Sequence, residues 1–198
     1  MPNLSKPFYF IITIILFSTP GLAMAHSGDG EVGGFISGFT HPFFGWDHVV
    51  AMVAVGLWGV FLGKPAIWVL PIVFPMIMVV GAILGILGIE IPSVETGIAA
   101  SAIVLGLLVA FKMRFPIYIA MFIVAIFGIF HGHAHGTEIP IAATPISYAA
   151  GFVLATGLLH LFGIIFGELS RWQIGRYAVQ TAGLGIAIVG GAFLAGVL

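Results

Sequence analysis

The 198-residue chain contains no cysteine. That absence excludes disulfides, thiolate metal sites and cysteine nucleophiles together, so any metal must be held by nitrogen and oxygen. Charge is nearly as scarce. Lys, Arg, Asp and Glu make up 7% of the residues, against roughly 25% in a soluble domain. The formal net charge is −1, which gives no reason to expect a nucleic-acid partner. There is no phosphate-binding loop, so the chain itself is not expected to hydrolyse ATP.

What is present is apolar. Hydrophobic residues account for 61% of the chain, and the mean hydropathy is +1.22. Such a chain is solvated by lipid. The first 25 residues read as a cleaved secretory signal: Lys6, a short apolar core from Phe8 to Phe17, a break at Ser18-Thr-Pro20, and the small-x-small site Ala23-Met-Ala25. The apolar core falls short of the ~20 residues needed to span a bilayer. Cleavage after Ala25 leaves His26 as a new N-terminus, whose amine and imidazole can chelate together.

Six apolar spans follow: Pro42–Leu62, Ala66–Gly88, Val94–Phe111, Phe115–Phe130, Pro145–Phe166 and Arg176–Val197. Most linkers are short and carry helix breakers. The fourth-to-fifth connection is long. The expected fold is all-α: a polytopic membrane protein with six transmembrane helices after a cleaved signal peptide, residues 26–198 forming one domain. A signal peptide puts the mature N-terminus outside. Lys64, Lys112, Arg114, Arg171 and Arg176 then all fall inside, as the positive-inside rule requires. Trp46, Trp58, Trp68, Tyr118, Tyr148 and Tyr177 near span ends, with Trp172 in an inner loop, read as an aromatic belt. Gly59-x3-Gly63, Gly81-x3-Gly85 and Gly163-x3-Gly167 permit close helix packing, and Pro71 and Pro75 should kink the second span. The two halves have opposite orientation without convincing sequence similarity.

The same topology collects polar groups at the outer side. Imidazoles and carboxylates are costly near a bilayer, so their clustering there points to function. One cluster is His41-Pro-Phe-Phe-Gly-Trp-Asp47-His48. Pro42 suits a first helical turn, so this cluster is expected to open the first span, with a bend near Pro42 bringing His41, Asp47 and His48 to one ion. Asp47 can alternatively accept the second imidazole proton and fix a ligand's tautomer, or merely cap the helix. The other cluster is Phe130-His-Gly-His-Ala-His-Gly-Thr-Glu138. If helix continues past Phe130, His131, His135 and Glu138 share one face, and His133 points away. Two histidines at i, i+4 are a familiar metal-ligand spacing. Glu90 and His133 are secondary ligand candidates, with His26. Glu95 reads as a helix cap. His160 is expected ~22 Å along the fifth span, toward its inner half, either as a satisfied core histidine or as an inner relay ligand.

His41-Pro-Phe-Phe-Gly-Trp-Asp-His-Val-Val-Ala-Met52, followed by Val55-Gly-Leu-Trp-Gly59, resembles the first-helix signature of the HupE/UreJ family. Phe130–Glu138 resembles its second signature, Phe-His-Gly-x-Ala-His-Gly-x-Glu, and the resemblance runs the length of the chain. It implies an inner-membrane permease for nickel, or in some relatives cobalt, serving hydrogenase or urease maturation. The functional positions carried over by motif are His41, Asp47, His48, His131, His135 and Glu138; the motif leaves position 133 free.

The expected function is thus uptake of a divalent ion, Ni²⁺ or Co²⁺, as cargo, with no prosthetic group and no enzymatic step. Acidic and histidine groups at the outer mouth capture the ion, and the two clusters exchange it. N/O ligands suit Ni²⁺, Co²⁺, Zn²⁺ and Cu²⁺ alike, so only the resemblance selects nickel or cobalt. A membrane-embedded hydrolase using the same ligands to activate water is the rival from another class. A substrate cavity beside an open metal position would favour it. A metal sensor would need a soluble output segment, and none is seen after the last span.

Overall fold

The computed structural model describes residues 34–139 and 144–198. The signal-peptide reading and His26 lie outside the described residues. Among those described, all regular structure is helical: α1 (Gly34–Phe44), α2 (Trp46–Leu62), α3 (Ala66–Ile86), α4 (Val94–Ala110), α5 (Ile117–Thr137), α6 (Pro145–Glu168) and α7 (Gln173–Leu194), with a short 3₁₀ turn at Leu169–Arg171.

Every expected span contains a helix, but the lengths differ from expectation. α3, α5, α6 extended by the 3₁₀ turn, and α7 are long and apolar enough to cross a membrane. α1 and α2 qualify only as a pair, bent by 83° where they meet. α4, at 17 residues, is a shorter apolar helix. The described helices therefore support four spans, or five if the bent pair is one. Pro42 does not open a span. It lies near the end of α1, and the bend falls at Gly45, between α1 and α2. α3 continues through Pro71 and Pro75 as one element. α5 runs past Phe130 to Thr137, so the second histidine cluster is helix, not connection.

α2 is the central helix and touches all six others. Its sequence explains the position: Ala51, Ala54, Gly56 and Gly59 keep the cylinder narrow, and its buried residues face every direction. Around it α3 pairs with α5, α4 with α7, and α6 with both α1 and α2. Lipid offers little hydrophobic drive between helices, so close packing of small residues has to hold them together. At the α3–α5 seam, a Cβ on Gly81 would stand 2.3 Å from the Ile129 carbonyl oxygen, and one on Gly132 would stand 2.0 Å from that of Met78. Gly85, Gly136 and Gly163 meet backbone just as closely. Gly63 is different: nothing lies near it, and its φ of 76° makes it the α2 C-cap rather than a packing residue.

The aromatic belt needs two corrections. Trp58 is fully buried, and its indole N–H donates to the Met113 carbonyl at 2.9 Å. Tyr148 is buried against His41 and Phe152. Both rings find protein partners, so neither acts as an interfacial anchor. Trp46, Trp68, Trp172, Tyr118 and Tyr177 are exposed, as an interfacial role requires. Lys64, Lys112, Arg114, Arg171 and Arg176 gather around one cavity of about 510 Å³, together with Glu168, which pairs with Arg171. This basic end adjoins the start of α5. The histidines sit at its other end, ~30 Å away at 1.5 Å per residue.

Candidate metal site

α5 presents His131 and His135 one turn apart, with Glu138 at its C-cap. α2 supplies Asp47 and His48 from its first turn, and α1 supplies His41 from its last. The sharp turn at Gly45 lets two successive helices aim at the same point. A Cβ on Gly45 would lie 2.9 Å from His48 Nδ1 and 3.0 Å from Asp47 Oδ1, so a methyl there would push on both side chains.

The six residues do not sort by motif. His41, His135 and Glu138 form one group, with ligand atoms all within 4.8 Å of one another. Glu138 Oε2 lies 3.4 Å from His41 Nε2 and 3.6 Å from His135 Nδ1. Those two rings hold the Glu138 carboxyl well below the usual carboxylate range, His135 contributing most and His41 next. Deeper in the protein, His48 and His131 face each other with ring centroids 5.0 Å apart. His48 also stands 4.3 Å from His135, which links the two groups. The two sequence clusters therefore interleave: each local site draws on both motifs.

Hydrogen bonding assigns the ring protons. The Ser101 hydroxyl has a single proton, which it donates to the Ile98 carbonyl at 2.6 Å. Its oxygen therefore accepts from His131 Nε2, 2.8 Å away. The His131 proton sits on Nε2, and Nδ1 keeps its lone pair, buried and without a partner among the described residues. Asp47 Oδ1 lies 2.8 Å from His48 Nδ1. A carboxylate only accepts, so the neutral ring carries its proton on Nδ1 and leaves Nε2 bare, also buried and unpartnered. Carboxylate and hydroxyl partners of this kind orient metal-binding imidazoles and fix their tautomers. Both ring nitrogens of His135 are likewise unpartnered among the described residues. Imidazole nitrogens with free lone pairs are of the kind that suits borderline divalent cations.

The secondary candidates fall elsewhere. His133 turns away from the group, and its Nε2 bonds the Ile89 carbonyl at 2.8 Å. It ties α5 to the α3–α4 turn. Glu90 is exposed in that turn and Glu95 is exposed on the first turn of α4; neither joins the His41–His135–Glu138 group. Sequence reasoning missed Ser101. The signal was there: it is a hydroxyl in the middle of an otherwise apolar helix, where a polar group needs a partner. It also missed Phe152, whose ring lies 4.2 Å from His135, and Phe74, which touches His131 at 5.5 Å. One more aromatic among many carries no sequence signal.

These features define a multi-pass helical membrane protein with a histidine–carboxylate cluster at one end of the bundle, running from exposed Glu138 to buried His131. The family model described as HupE / UreJ protein matches residues 14–193. A curated relative, Protein HupE of Rhizobium leguminosarum bv. viciae, is 42% identical over 184 residues, covering 93% of this chain and 96% of its own length. The chain belongs to the HupE/UreJ family. No solved structure matches it.

Proposed function

We propose that the protein is an inner-membrane permease that takes up Ni²⁺, or Co²⁺, to supply a metalloenzyme such as hydrogenase or urease. The observation that carries this reading is the convergence of His41, His48, His131 and His135, with bare ring nitrogens on His48, His131 and His135, beside the charged Glu138. The carboxylate attracts the hydrated ion at the mouth. His41, His135 and Glu138 take it first. It passes to His135, His48 and His131 as water is stripped, and the 4.3 Å and 5.0 Å ring spacings allow one ligand to be exchanged at a time. Asp47 and Ser101 position their histidines rather than bind the ion. The nickel or cobalt assignment comes from family membership, because imidazole and carboxylate accept several divalent ions. A periplasmic mature N-terminus, produced by cleavage after Ala25, sets the cluster outside and the basic cavity inside.

The hydrolase alternative finds less support. The cavity beside His135 holds about 40 Å³ and is lined chiefly by apolar side chains such as Met78, Tyr148 and Phe152. That volume suits an ion or one or two waters, not an organic substrate.

The test is accumulation of ⁶³Ni²⁺ in cells expressing the chain, beside a His131→Ala/His135→Ala variant and with Co²⁺ and Zn²⁺ as competitors. Uptake is expected in the parent and lost in the variant. A well-inserted parent that accumulates no ion refutes the permease reading.

A further inference from the structure

His160 of α6 is not used by the cluster above, and its environment does not satisfy it. It is 1% exposed, and neither ring nitrogen has a hydrogen-bond partner among the described residues. Thr156, one turn earlier on the same face of α6, is fully buried with its hydroxyl equally unpartnered. A third group comes from α3. Pro75 has no N–H, so the Pro71 carbonyl four residues before it loses its helical partner. That main-chain oxygen lies near the His160 ring, outside hydrogen-bond geometry. Phe74, between the two prolines, stacks edgewise on His160 at 5.5 Å and touches His131 at the same 5.5 Å. One phenyl ring thus separates His160 from the innermost histidine of the cluster.

Burying an imidazole and a hydroxyl without partners costs roughly 1–3 kcal/mol each. A leucine, valine and unbroken helix would pack this spot without that cost. Position adds to the argument. His131 lies six residues inside the outer end of α5, ~9 Å deep, and His160 lies eight residues from the basic end of α6, ~12 Å from it. The bare donors lie in the interval between cluster and basic cavity.

We propose that His160, Thr156 and the freed Pro71 carbonyl form a second, inner station for the divalent ion, entered from His131 past the Phe74 ring. This rests on the permease reading. All three donors are neutral, so the station holds the ion more weakly than the carboxylate-bearing mouth, as onward release demands.

The test uses purified full-length protein in two formats: equilibrium ⁶³Ni²⁺ binding in detergent, and flux into proteoliposomes enclosing a nickel-sensitive dye. His160→Leu keeps the packing and removes the donor, and Thr156→Val removes one oxygen at constant shape. Binding at the mouth is expected to persist in both, while flux falls about ten-fold or more in His160→Leu and less in Thr156→Val. His160→Gln, which restores a polar donor, is expected to recover part of the flux; a purely structural role would give no such recovery. Parental flux in both well-inserted variants overturns the inner station alone. Loss of binding at the mouth together with flux also overturns it, because His160 then serves the cluster's structure. If His160→Leu fails to insert, Thr156→Val and His160→Gln decide on the same criteria. A parent without flux brings down the permease reading itself, a result distinct from the others.

Discussion

Ser101→Ala removes a single oxygen from a fully buried position, and its consequences can be worked through atom by atom. In the parent, Ser101 Oγ accepts the His131 Nε2 proton at 2.8 Å while donating to Ile98. Without it, one buried N–H is unsatisfied, at a cost of about 1–3 kcal/mol. The imidazole can relieve that cost by moving its proton to Nδ1, the buried atom left without a partner. An ion must then displace that proton before His131 can bind. Losing such an orienting partner typically weakens metal affinity ~10–100-fold, and since tenfold is about 1.4 kcal/mol, the two figures describe the same energy. The assay is equilibrium ⁶³Ni²⁺ binding by purified protein with parallel uptake in cells. Thr96→Ala, an exposed position on the same helix, serves as the control and should leave both unchanged. A Ser101→Ala protein that inserts normally and binds nickel with parental affinity would refute the assigned tautomer and with it the role of His131 Nδ1.

Two further outcomes follow from the geometry. Gly45→Ala places a methyl 2.9 Å from His48 Nδ1 and 3.0 Å from Asp47 Oδ1. It should break that pair and lower nickel affinity at least ~10-fold without preventing insertion, as read by binding and by membrane yield. Glu138 titrates in a predictable direction. Its pKa in the folded protein is lowered by His135 and His41, so the stability and the charge that it contributes are present above the ordinary carboxylate pKa of ~4.3 and are lost only as pH falls through the lower folded value. Glu138→Gln should weaken capture across neutral pH, where the carboxylate is charged beside His41 and His135, as read by ⁶³Ni²⁺ uptake at pH ~7. Parental uptake at that pH in the well-inserted variant would refute the role of Glu138 in capture.

Much of this protein was legible in one dimension because membranes impose strong local rules. Long apolar runs must be helices, since a bilayer core leaves backbone groups no other partner. The histidine and carboxylate residues stood out because each is costly in that setting, and i, i+4, i+7 spacing placed His131, His135 and Glu138 on one face once α5 was known to continue. The close packing of Gly81, Gly85 and Gly163 was equally readable. Other features depend on neighbours distant in sequence. Nothing local says that the chain turns at Gly45 rather than Pro42: α1 packs along α6 while α2 packs among all the other helices, and those distant contacts set the angle. Nor could spacing tell that Trp58 and Tyr148 would be buried rather than interfacial; partners from other segments, Met113 and His41, decide that.

The sequence by itself determined the helical membrane class, the family and the identity of the polar groups, because lipid solvation and helical periodicity act on residues close together in the chain. Tertiary structure alone decided how those groups combine. It pairs His41 with His135 and Glu138, sets His48 against His131, gives His131 its Ser101 partner, and leaves His160 and Thr156 bare beside the Pro71 carbonyl. Most of these contacts join different helices of a bundle in which, for example, α3 and α5 meet backbone to backbone at Gly81 and Gly132, a distance condition that no single segment contains.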